Sequence, residues 1–444
     1  MRKSLLLVAF ALPFLTSVNA QNSGEKKFGI SFSGFVKNDV FYDTRQATTI
    51  REGHFLLYPT NASLDADGVD INAKPSFNIL SIQSRLTGKI TAPDAFGAKT
   101  SGVLEADFFG NENASFIDVN GFRLRHAFVK LAWKKRELLM GQYWHPLFIA
   151  SSFPGTISFN TGAPFEPFSR NPQVRFTQKC GKFNAMAAIL SQRDFISPGG
   201  SSLALRNAGL PEGQVQLSYE NKNDSLKKEF VFGIGGGYKM LTPRLYSEVT
   251  TAPAAYNLDT NTWTVTYIAP KTKKYAVTET VAGYSAEVFA KIKMPKFTVK
   301  WQGIYGQNLF DLVMLGGYAV SDTLNSATQE KEYTPVNTLS TWLDMNTNGK
   351  KIQVGLFGGY TQNMGTDKVI NVNDNFANTS RGSNILYVYR VAPRVVFIAE
   401  KLQLATEVEY TNVAYGSKID NKGIVSNCKN YSNIRVLFSA IYSF

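Results

Sequence analysis

The sequence predicts an all-β fold, a transmembrane antiparallel β-barrel of about 16 strands with short turns at one end and long loops at the other. Three observations predict it: an N-terminal export signal, strands whose side chains alternate between polar and apolar, and connections that alternate between short and long. We expect residues 21–444 to form this barrel as a single domain.

The N-terminus has the three parts of a bacterial export signal. Arg2 and Lys3 supply positive charge, an apolar stretch follows over 4–15, and small or β-branched residues precede the expected cut. We predict cleavage after Ala20, which makes residues 1–20 a signal peptide. The apolar stretch is shorter than the roughly 20 residues of a spanning helix, so a retained membrane anchor is the weaker interpretation.

Composition favours a barrel among exported proteins. After the signal, no apolar run is long enough to span a bilayer as a helix, which leaves a periplasmic, secreted or barrel protein. The chain has 32 Phe, 20 Tyr and 35 Gly. Its runs of apolar residues are short and are separated by polar residues, as in strands whose two faces differ in polarity. The formal net charge of +13 would suit nucleic acid, but exported proteins do not routinely meet any, so we expect no such partner.

The last strand shows the alternation most clearly. One face carries Ile434, Val436, Phe438, Ala440, Tyr442 and Phe444. Bacterial outer-membrane proteins use a terminal strand that ends on an outward aromatic residue as an assembly signal. We therefore expect Tyr442 and Phe444 to be read by the barrel-assembly machinery, and the barrel to lie in the lipid of the bacterial outer membrane.

The same alternation recurs upstream over 28–43, 77–91, 104–108, 296–308 and 402–412. Most of these runs are about as long as the 9–11 tilted residues that cross a bilayer. Short breaks are expected near 92–99, 133–137, 179–182, 222–228, 293–296, 346–351 and 400–402. Long ones are expected near 44–76, 110–120, 146–171, 193–213, 241–274, 309–337, 363–382 and 413–432. About eight long loops and seven turns imply about sixteen strands, with 14 or 18 left open.

The two cysteines, Cys180 and Cys428, test this topology. Export makes a disulfide chemically possible. Cys180 is expected in a short turn and Cys428 in a long loop, at opposite ends of the barrel. We therefore predict that no bond joins them.

The polar faces of the strands must point into the barrel. Placing a charge on the lipid face costs about 2–4 kcal/mol near the midplane, and a barrel of this size encloses water. The charged residues assigned inward are Lys37, Asp39, Arg85, Lys89, Glu105, Asp107, Arg123, Arg125, Arg175, Lys300, Glu407, Glu409 and Arg435.

Within this set, five residues from neighbouring strands are expected to form a basic wall: Arg85, Lys89, Arg123, Arg125 and Arg175. Positive charge in a narrow pore favours anions, and arginine can bind a carboxylate with two hydrogen bonds. The alternative is that these side chains brace the wall by pairing with Glu105 and Asp107. If they face water, replacing Arg123 and Arg125 by Ser should shift selectivity toward cations and barely change folding.

The segment 146–171 is the candidate constriction. It is the third long loop, is rich in Phe, Pro, Gly and Ser, and contains Glu166 and Arg170. Its apolar side chains would be poorly placed in open water, so we expect the loop to fold into the lumen. Packing on top of the barrel or against a neighbouring subunit is the alternative.

A family resemblance is concentrated in residues 121–177. Phe122-Arg-Leu-Arg-His-Ala-Phe-Val129, Leu139-Met-Gly-Gln-Tyr-Trp144 and Arg170-Asn-Pro-Gln-Val-Arg-Phe176 resemble, in this order, a run found in DcaP-like trimeric outer-membrane porins. The resemblance implies a homotrimer, passive diffusion, and a preference for small anions such as dicarboxylates.

Two other functions compete with a diffusion porin. An outer-membrane enzyme would need a histidine paired with a nucleophile or acid, but His54 has no obvious partner and His126 and His145 lie within strand patterns. A structural barrel or adhesin that displays its long loops is the other alternative. The sequence indicates no cofactor and no metal site, so we expect a non-enzymatic barrel whose partners are lipid, the assembly machinery and small anionic solutes.

Overall fold

The computed structural model describes residues 28–109, 121–198, 202–260 and 262–444. These residues form a closed antiparallel barrel of 16 strands, which confirms the predicted fold class. The predicted signal peptide, 1–20, and the predicted loop 110–120 lie outside the described residues. No helix in the described ranges is long and apolar enough to cross a membrane.

The barrel strands are numbered β1 to β16 in chain order. They are β1 (Gly29–Asp43), β2 (Ser76–Leu80 and, after a break, Arg85–Thr91), β3 (Lys99–Asp107), β4 (Arg123–Ala132), β5 (Arg136–Trp144), β6 (Arg170–Cys180), β7 (Phe183–Leu190), β8 (Glu212–Asn223), β9 (Lys228–Leu241), β10 (Val281–Lys293), β11 (Phe297–Gln307), β12 (Glu330–Thr347), β13 (Ile352–Thr366), β14 (Ile385–Ala399), β15 (Leu402–Ile419) and β16 (Val425–Ser443). Each strand pairs with the next, and β1 also pairs with β16, so the described barrel has no free edge.

The connections carry further short elements. Additional strands are Ala47–Ile50, Phe55–Pro59, Tyr246–Ala252, Ala255–Asp259, Thr264–Ile268, Lys271–Ala276, Gly316–Asn325 and Ser380–Arg381. Helical segments are Leu203–Asn207 and Phe376–Thr379, with single 3-10 turns at Ile71–Ala73 and Phe310–Leu312. The long connections are named L1 (44–75), L2 (108–122), L3 (145–169), L4 (191–211), L5 (242–280), L6 (308–329), L7 (367–384) and L8 (420–424).

The seam of the barrel lies where β1 meets the C-terminus. The backbone N–H of Phe444 donates to the carbonyl of Gly34 (3.1 Å), and the N–H of Gly34 donates back (3.2 Å). The Tyr442 and Phe444 side chains are 54% and 49% exposed, on the outer apolar face. The terminal aromatic residue is therefore at the seam and faces outward, as the alternation predicted. Its role as an assembly signal stays a prediction.

Two predicted loops are shorter than expected. The stretch 413–432 was expected to be a loop, but β15 and β16 continue their pairing to Ile419 and Val425, and L8 is only the turn 420–424. The expected loop 309–337 likewise contains the strand Gly316–Asn325, which pairs with the start of β12. Beyond the lipid the two faces of a strand both meet water, so hydrogen-bonded pairing continues without the alternation that marks a membrane strand.

The cysteines lie at opposite ends of the barrel, as predicted. Cys180 is the last residue of β6, beside a short turn, and both cysteines are exposed and unbonded. Cys428, however, is in a strand and not in a loop, because it pairs with Gly416 in the extended part of β16.

Candidate functional site

The interior of the barrel is crossed by L3, which confirms its predicted position in the lumen. The N–H groups of Ile157 and Ser158 donate to the Glu407 carboxylate on β15 (2.8 and 3.0 Å). The N–H of Gly155 donates to Asp344 on β12 (3.0 Å). These acceptors lie on strands far along the chain from L3, so the loop spans the lumen and is tied to the opposite wall.

Positively charged wall residues hold the carbonyl groups of the same loop. Lys37 donates to the carbonyl of Ile157 (2.7 Å), and Arg390 donates to that of Ala163 (2.9 Å). Arg390 is 1% exposed and also donates to the carbonyls of Leu56 and Leu57 in L1. Many inward-facing charges therefore bind backbone groups of loops and are not exposed to water.

L1 also folds into the lumen, which the sequence interpretation missed. Its strand Phe55–Pro59 is buried along its whole length. The Tyr415 hydroxyl on β15 donates to the carbonyl of Pro59 (2.9 Å), and Arg435 on β16 donates to that of Gly53 (2.8 Å). Two inserted loops, and not one, narrow the barrel.

An aromatic cluster forms where the inserted loops meet. The Phe55 ring of L1 lies 5.6 Å from that of Phe159 and 5.0 Å from that of Phe168, both in L3. Phe109 stacks on Phe159 with ring centres 4.3 Å apart. The Leu312 carbonyl of L6 accepts a hydrogen bond from the N–H of Phe168 (2.8 Å). At this depth the lumen is packed with apolar side chains.

Next to this cluster, the structure brings together three of the predicted basic residues with the two predicted acids. Arg123 donates to both oxygens of Asp107 (3.0 and 2.8 Å). Arg125 donates to Asp107 and to Glu105 (2.8 Å each). Arg85 lies 3.6 Å from Glu105. The bracing alternative therefore holds for part of the wall.

A bulge between β3 and β4 sets this geometry. The pairing passes from Ala106 opposite Leu124 to Glu105 opposite His126, so Arg125 has no partner in the ladder. A bulge of this kind turns an extra side chain toward the same face as its neighbours. Arg125 can therefore reach both Glu105 and Asp107.

The burial of Arg125 corrects one sequence expectation. Its side chain is 2% exposed and Asp107 is fully buried, so these groups do not face open water. Removing one partner of a buried pair leaves the other charge uncompensated, which costs about 3–5 kcal/mol. Replacing Arg123 and Arg125 by Ser is thus expected to disturb folding, contrary to the interpretation from sequence.

Two residues that the sequence did not single out complete the cluster. Asp194 of L4 accepts a hydrogen bond from Nε of Arg170 (2.8 Å), and Nη2 of Arg170 lies 2.6 Å from the same carboxylate oxygen. Arg51 of L1 and Arg123 of β4 each approach its other oxygen to 3.7 Å. Burial alone would raise the pKa of Asp194, but Arg170, Arg123 and Arg51 hold that pKa below its usual value.

We call this group the arginine cluster and define it by its members. It comprises Arg51, Arg85, Arg123, Arg125 and Arg170 with Glu105, Asp107 and Asp194. Among the described residues, these members comprise five guanidinium groups and three carboxylates, so positive charge is in excess within the set. Arg170 was expected in the constriction loop, but it is the first residue of β6 and belongs to this wall.

The remaining predicted site residues lie apart from the cluster. Lys89 is exposed and makes no ion pair within the described residues. Arg175 donates to Gln173 (2.9 Å) and to the carbonyl of Trp144 (2.6 Å), which fixes it to the wall, and it forms no ion pair with an acid of the described residues. The predicted basic wall is therefore only partly assembled.

Glu166 is inside L3, as predicted, but it does not face the pore. It is 0% exposed, and among the described residues neither of its carboxyl oxygens accepts a hydrogen bond. Burial, together with the nearby Glu287 carboxyl, raises the pKa of Glu166 well above its usual value. The side chain is therefore packed inside the loop and does not line the pore.

His54 and His145 are each buried against a carboxylate. His54, for which no partner was expected, is bonded to Asp39 (2.8 Å). Ser439 donates to that same carboxylate and not to the His54 ring, so no hydroxyl is positioned beside a histidine base here. His145 is buried against Glu212 (2.8 Å). No group of three potential ligands among the described residues could hold a metal ion.

Comparisons with known proteins agree with the fold. No family model matches the sequence, and no curated protein does. The crystal structure of the outer membrane channel DcaP of Acinetobacter baumannii aligns with 94% of this chain and 97% of its own, with a TM-score of 0.60 and 17% identity. The trimer form of OmpT, an outer membrane protein of Vibrio cholerae, aligns with 94% and 99%, with a TM-score of 0.50 and 10% identity.

At these identities the likeness concerns the fold. The resemblance to DcaP-like porins, which the sequence carries over 121–177, is confirmed at the level of the fold over most of the chain. The barrel is of the kind found in Gram-negative outer membranes, in agreement with the predicted location.

Proposed function

We propose that this chain is a diffusion porin that passes small hydrophilic solutes and favours anions, dicarboxylates among them. The observation that carries the proposal is the arginine cluster on the lumen wall, where guanidinium groups outnumber carboxylates among the described residues. A pore that keeps excess positive charge near its narrowest level lowers the electrostatic energy of an entering anion. The fold likeness to an outer membrane channel supports passage through the barrel.

The proposal also covers export, insertion into the outer membrane and oligomeric state. Export would use the signal peptide 1–20, and insertion would use recognition of Tyr442 and Phe444 by the assembly machinery. We also propose a homotrimer, because one matching structure is described as a trimer. The proposal contains no catalytic step, since His54 is bonded to Asp39 and the nearby hydroxyl of Ser439 donates to that same carboxylate.

Reversal potentials across a planar bilayer in asymmetric KCl test the selectivity. The wild-type channel should favour chloride at low salt and lose part of this preference at high salt, because screening shortens the range of fixed charge to about 3 Å at 1 M. Arg85→Gln should reduce the preference, since Arg85 is the most exposed of the cluster's ion-paired side chains at 21%. Lys222→Gln is the matched control, because Lys222 is 65% exposed beside a turn.

A cation-selective wild-type channel at low salt would contradict the proposal. A barrel with no conductance at all would instead favour the structural or adhesin function, for which the packed aromatic cluster of L1 and L3 is the supporting observation. The same recording therefore separates the two functions.

A further inference from the structure

We propose that Asp194 is a built-in occupant of a carboxylate-binding site, and that a solute dicarboxylate competes with it for Arg51, Arg123 and Arg170. The inference rests on the proposed anion-selective porin function and adds a ligand site and a gate to it. Its basis is the geometry of one loop carboxylate among three guanidinium groups from different parts of the chain.

The three arginines converge on Asp194 from separate elements. Arg170 begins β6, Arg123 begins β4, and Arg51 belongs to L1, whereas Asp194 comes from L4. Only Arg170 is within hydrogen-bond distance, at 2.6 and 2.8 Å, while the other two stand at 3.7 Å. The carboxylate is thus held firmly from one side and only loosely from the other.

The cluster has more donors than Asp194 fills. Nη1 of Arg170 and Nη1 of Arg123 are buried, and neither makes a hydrogen bond among the described residues. Buried donors without acceptors are unfavourable, and arginine is suited to bind a carboxylate with two parallel hydrogen bonds. A ligand with several carboxylate oxygens could satisfy donors that a single aspartate leaves unmet.

The charge of the cluster points to a dianion. When Asp194 is withdrawn, Glu105 and Asp107 are the carboxylates of the described residues that still pair with Arg85, Arg123 and Arg125. The two negative charges of a dicarboxylate then compensate more of the positive charge of the arginines than the one carboxylate of Asp194 does. We therefore assign the site to small dicarboxylates in preference to monocarboxylates.

Withdrawal of Asp194 would also loosen the aromatic cluster. The next residue, Phe195, places its ring 6.3 Å from Phe55 of L1 and 6.2 Å from Phe168 of L3. L4 is not part of the barrel ladder, so its movement breaks no strand pairing. A solute that displaces Asp194 would therefore pull Phe195 away from the contact between the two inserted loops.

The test compares succinate binding in wild-type protein with binding in Asp194→Asn, measured as concentration-dependent block of chloride current through the refolded full-length channel. Asp194→Asn keeps the shape of the side chain but removes the competing charge. A tethered competitor acts at an effective concentration of about millimolar, so its loss should tighten apparent succinate binding by about tenfold or more. Acetate, with one carboxylate, should gain less.

Two further variants serve as controls. Asp374→Asn makes the same charge change at an exposed-loop ion pair with Lys331 (2.7 Å) and should leave succinate binding unchanged. Asp194→Glu restores a carboxylate and should return the affinity toward the wild-type value. Heat-modified gel mobility of each variant verifies that the barrel is folded before it is recorded.

The outcomes separate the two proposals. Tighter succinate binding in folded Asp194→Asn, reversed in Asp194→Glu, supports the built-in competitor. Unchanged or weaker binding in that variant overturns the inference while wild-type anion selectivity keeps the porin function intact. A wild-type channel that favours cations overturns the proposed function, and the inference with it.

Discussion

Removing the carboxylate of Glu407 should release the middle of L3 from the barrel wall. Glu407 is fully buried on β15, and its two oxygens accept the backbone N–H groups of Ile157 and Ser158 at 2.8 and 3.0 Å. In Glu407→Ala both donors lose their acceptor. The neighbouring cations still have acceptors, because Arg394 remains paired with Asp344 (2.6 Å) and Lys37 still donates to Gln83 (2.6 Å).

The expected size of the effect follows from these two contacts. Hydrogen bonds to a charged group contribute about 1.5–3 kcal/mol each, and water entering the space left by the side chain recovers part of that. We therefore take the lower end, about 3 kcal/mol for the pair, which shifts the docking equilibrium of this part of L3 by about 150-fold. The release should stay local, since Arg390 and Ser340 still hold the carbonyls of Ala163 and Phe165 (2.9 Å each).

Hydrogen exchange and single-channel recording measure the release. The amides of Ile157 and Ser158 should exchange faster in Glu407→Ala, and the channel should show higher and noisier conductance. Glu332→Ala is the matched control, because Glu332, near the start of β12, pairs with Lys368 of L7 (2.6 Å) and has no hydrogen bond or ion pair with L3 among the described residues. Unchanged amide protection in a folded Glu407→Ala protein would refute the idea that this carboxylate anchors the loop.

Three further predictions concern L3, the seam and the arginine cluster. Because burial raises the pKa of Glu166, packed L3 binds the proton more tightly than the unfolded chain does. The contribution of Glu166 to stability should be greatest below about pH 4.3 and decrease as pH rises through the raised pKa, and Glu166→Gln should reduce this slope in thermal unfolding. Deleting Phe444, or Phe444→Asp, should lower the amount of folded barrel in outer-membrane fractions while export continues, and Leu324→Asp in a loop should not; normal abundance would remove the case for an assembly signal. Replacing Arg123 and Arg125 together by Ser should lower the free energy of unfolding by about 3–5 kcal/mol and shift reversal potentials toward cations, since Asp107 is left buried; an unchanged unfolding midpoint would contradict the bracing role.

The barrel could be predicted because membrane strands obey a strict alternation. Lipid on one side and polar groups on the other force every second residue outward, so β16 can be recognised from outward-facing residues such as Val436 and Phe438. The short turns were located for the same reason. Where β15 and β16 leave the membrane, this constraint disappears, and the sequence of 413–432 looked like a loop although its backbone remains paired.

The insertion of L1 into the lumen could have been predicted from a run of apolar residues, although not from strand alternation. Phe55, Leu56, Leu57 and Tyr58 are consecutive apolar residues within a long loop, and all are buried. Such a run is too short for a membrane helix and unsuited to a water-exposed loop. It indicates a segment that packs inside, and it could have been used for L1 as the phenylalanines were used for L3.

The candidate site was predictable in its strands but not in its loops. Arg123 and Arg125 are two apart on one strand, and the neighbouring β3 supplies Glu105 and Asp107 on the facing side, so their proximity follows from strand order. Arg51 and Asp194 reach the same place through loops whose paths no local pattern determines. Their positions depend on how L1, L3 and L4 pack on one another.

Bracing and solute selection are best assigned to different arginines. Arg125 lies 2.8 Å from each of two carboxylates. Because these opposite charges are so close, their combined electric field falls off quickly and acts weakly on a distant solute. Arg85 stands 3.6 Å from a shared carboxylate and is 21% exposed, so its charge is less compensated and acts over the screening length of about 8 Å at physiological salt. Arg125→Gln should therefore reduce stability more than selectivity, and Arg85→Gln should do the reverse. Equal effects of the two variants on reversal potential and unfolding would show that the cluster acts as one unit.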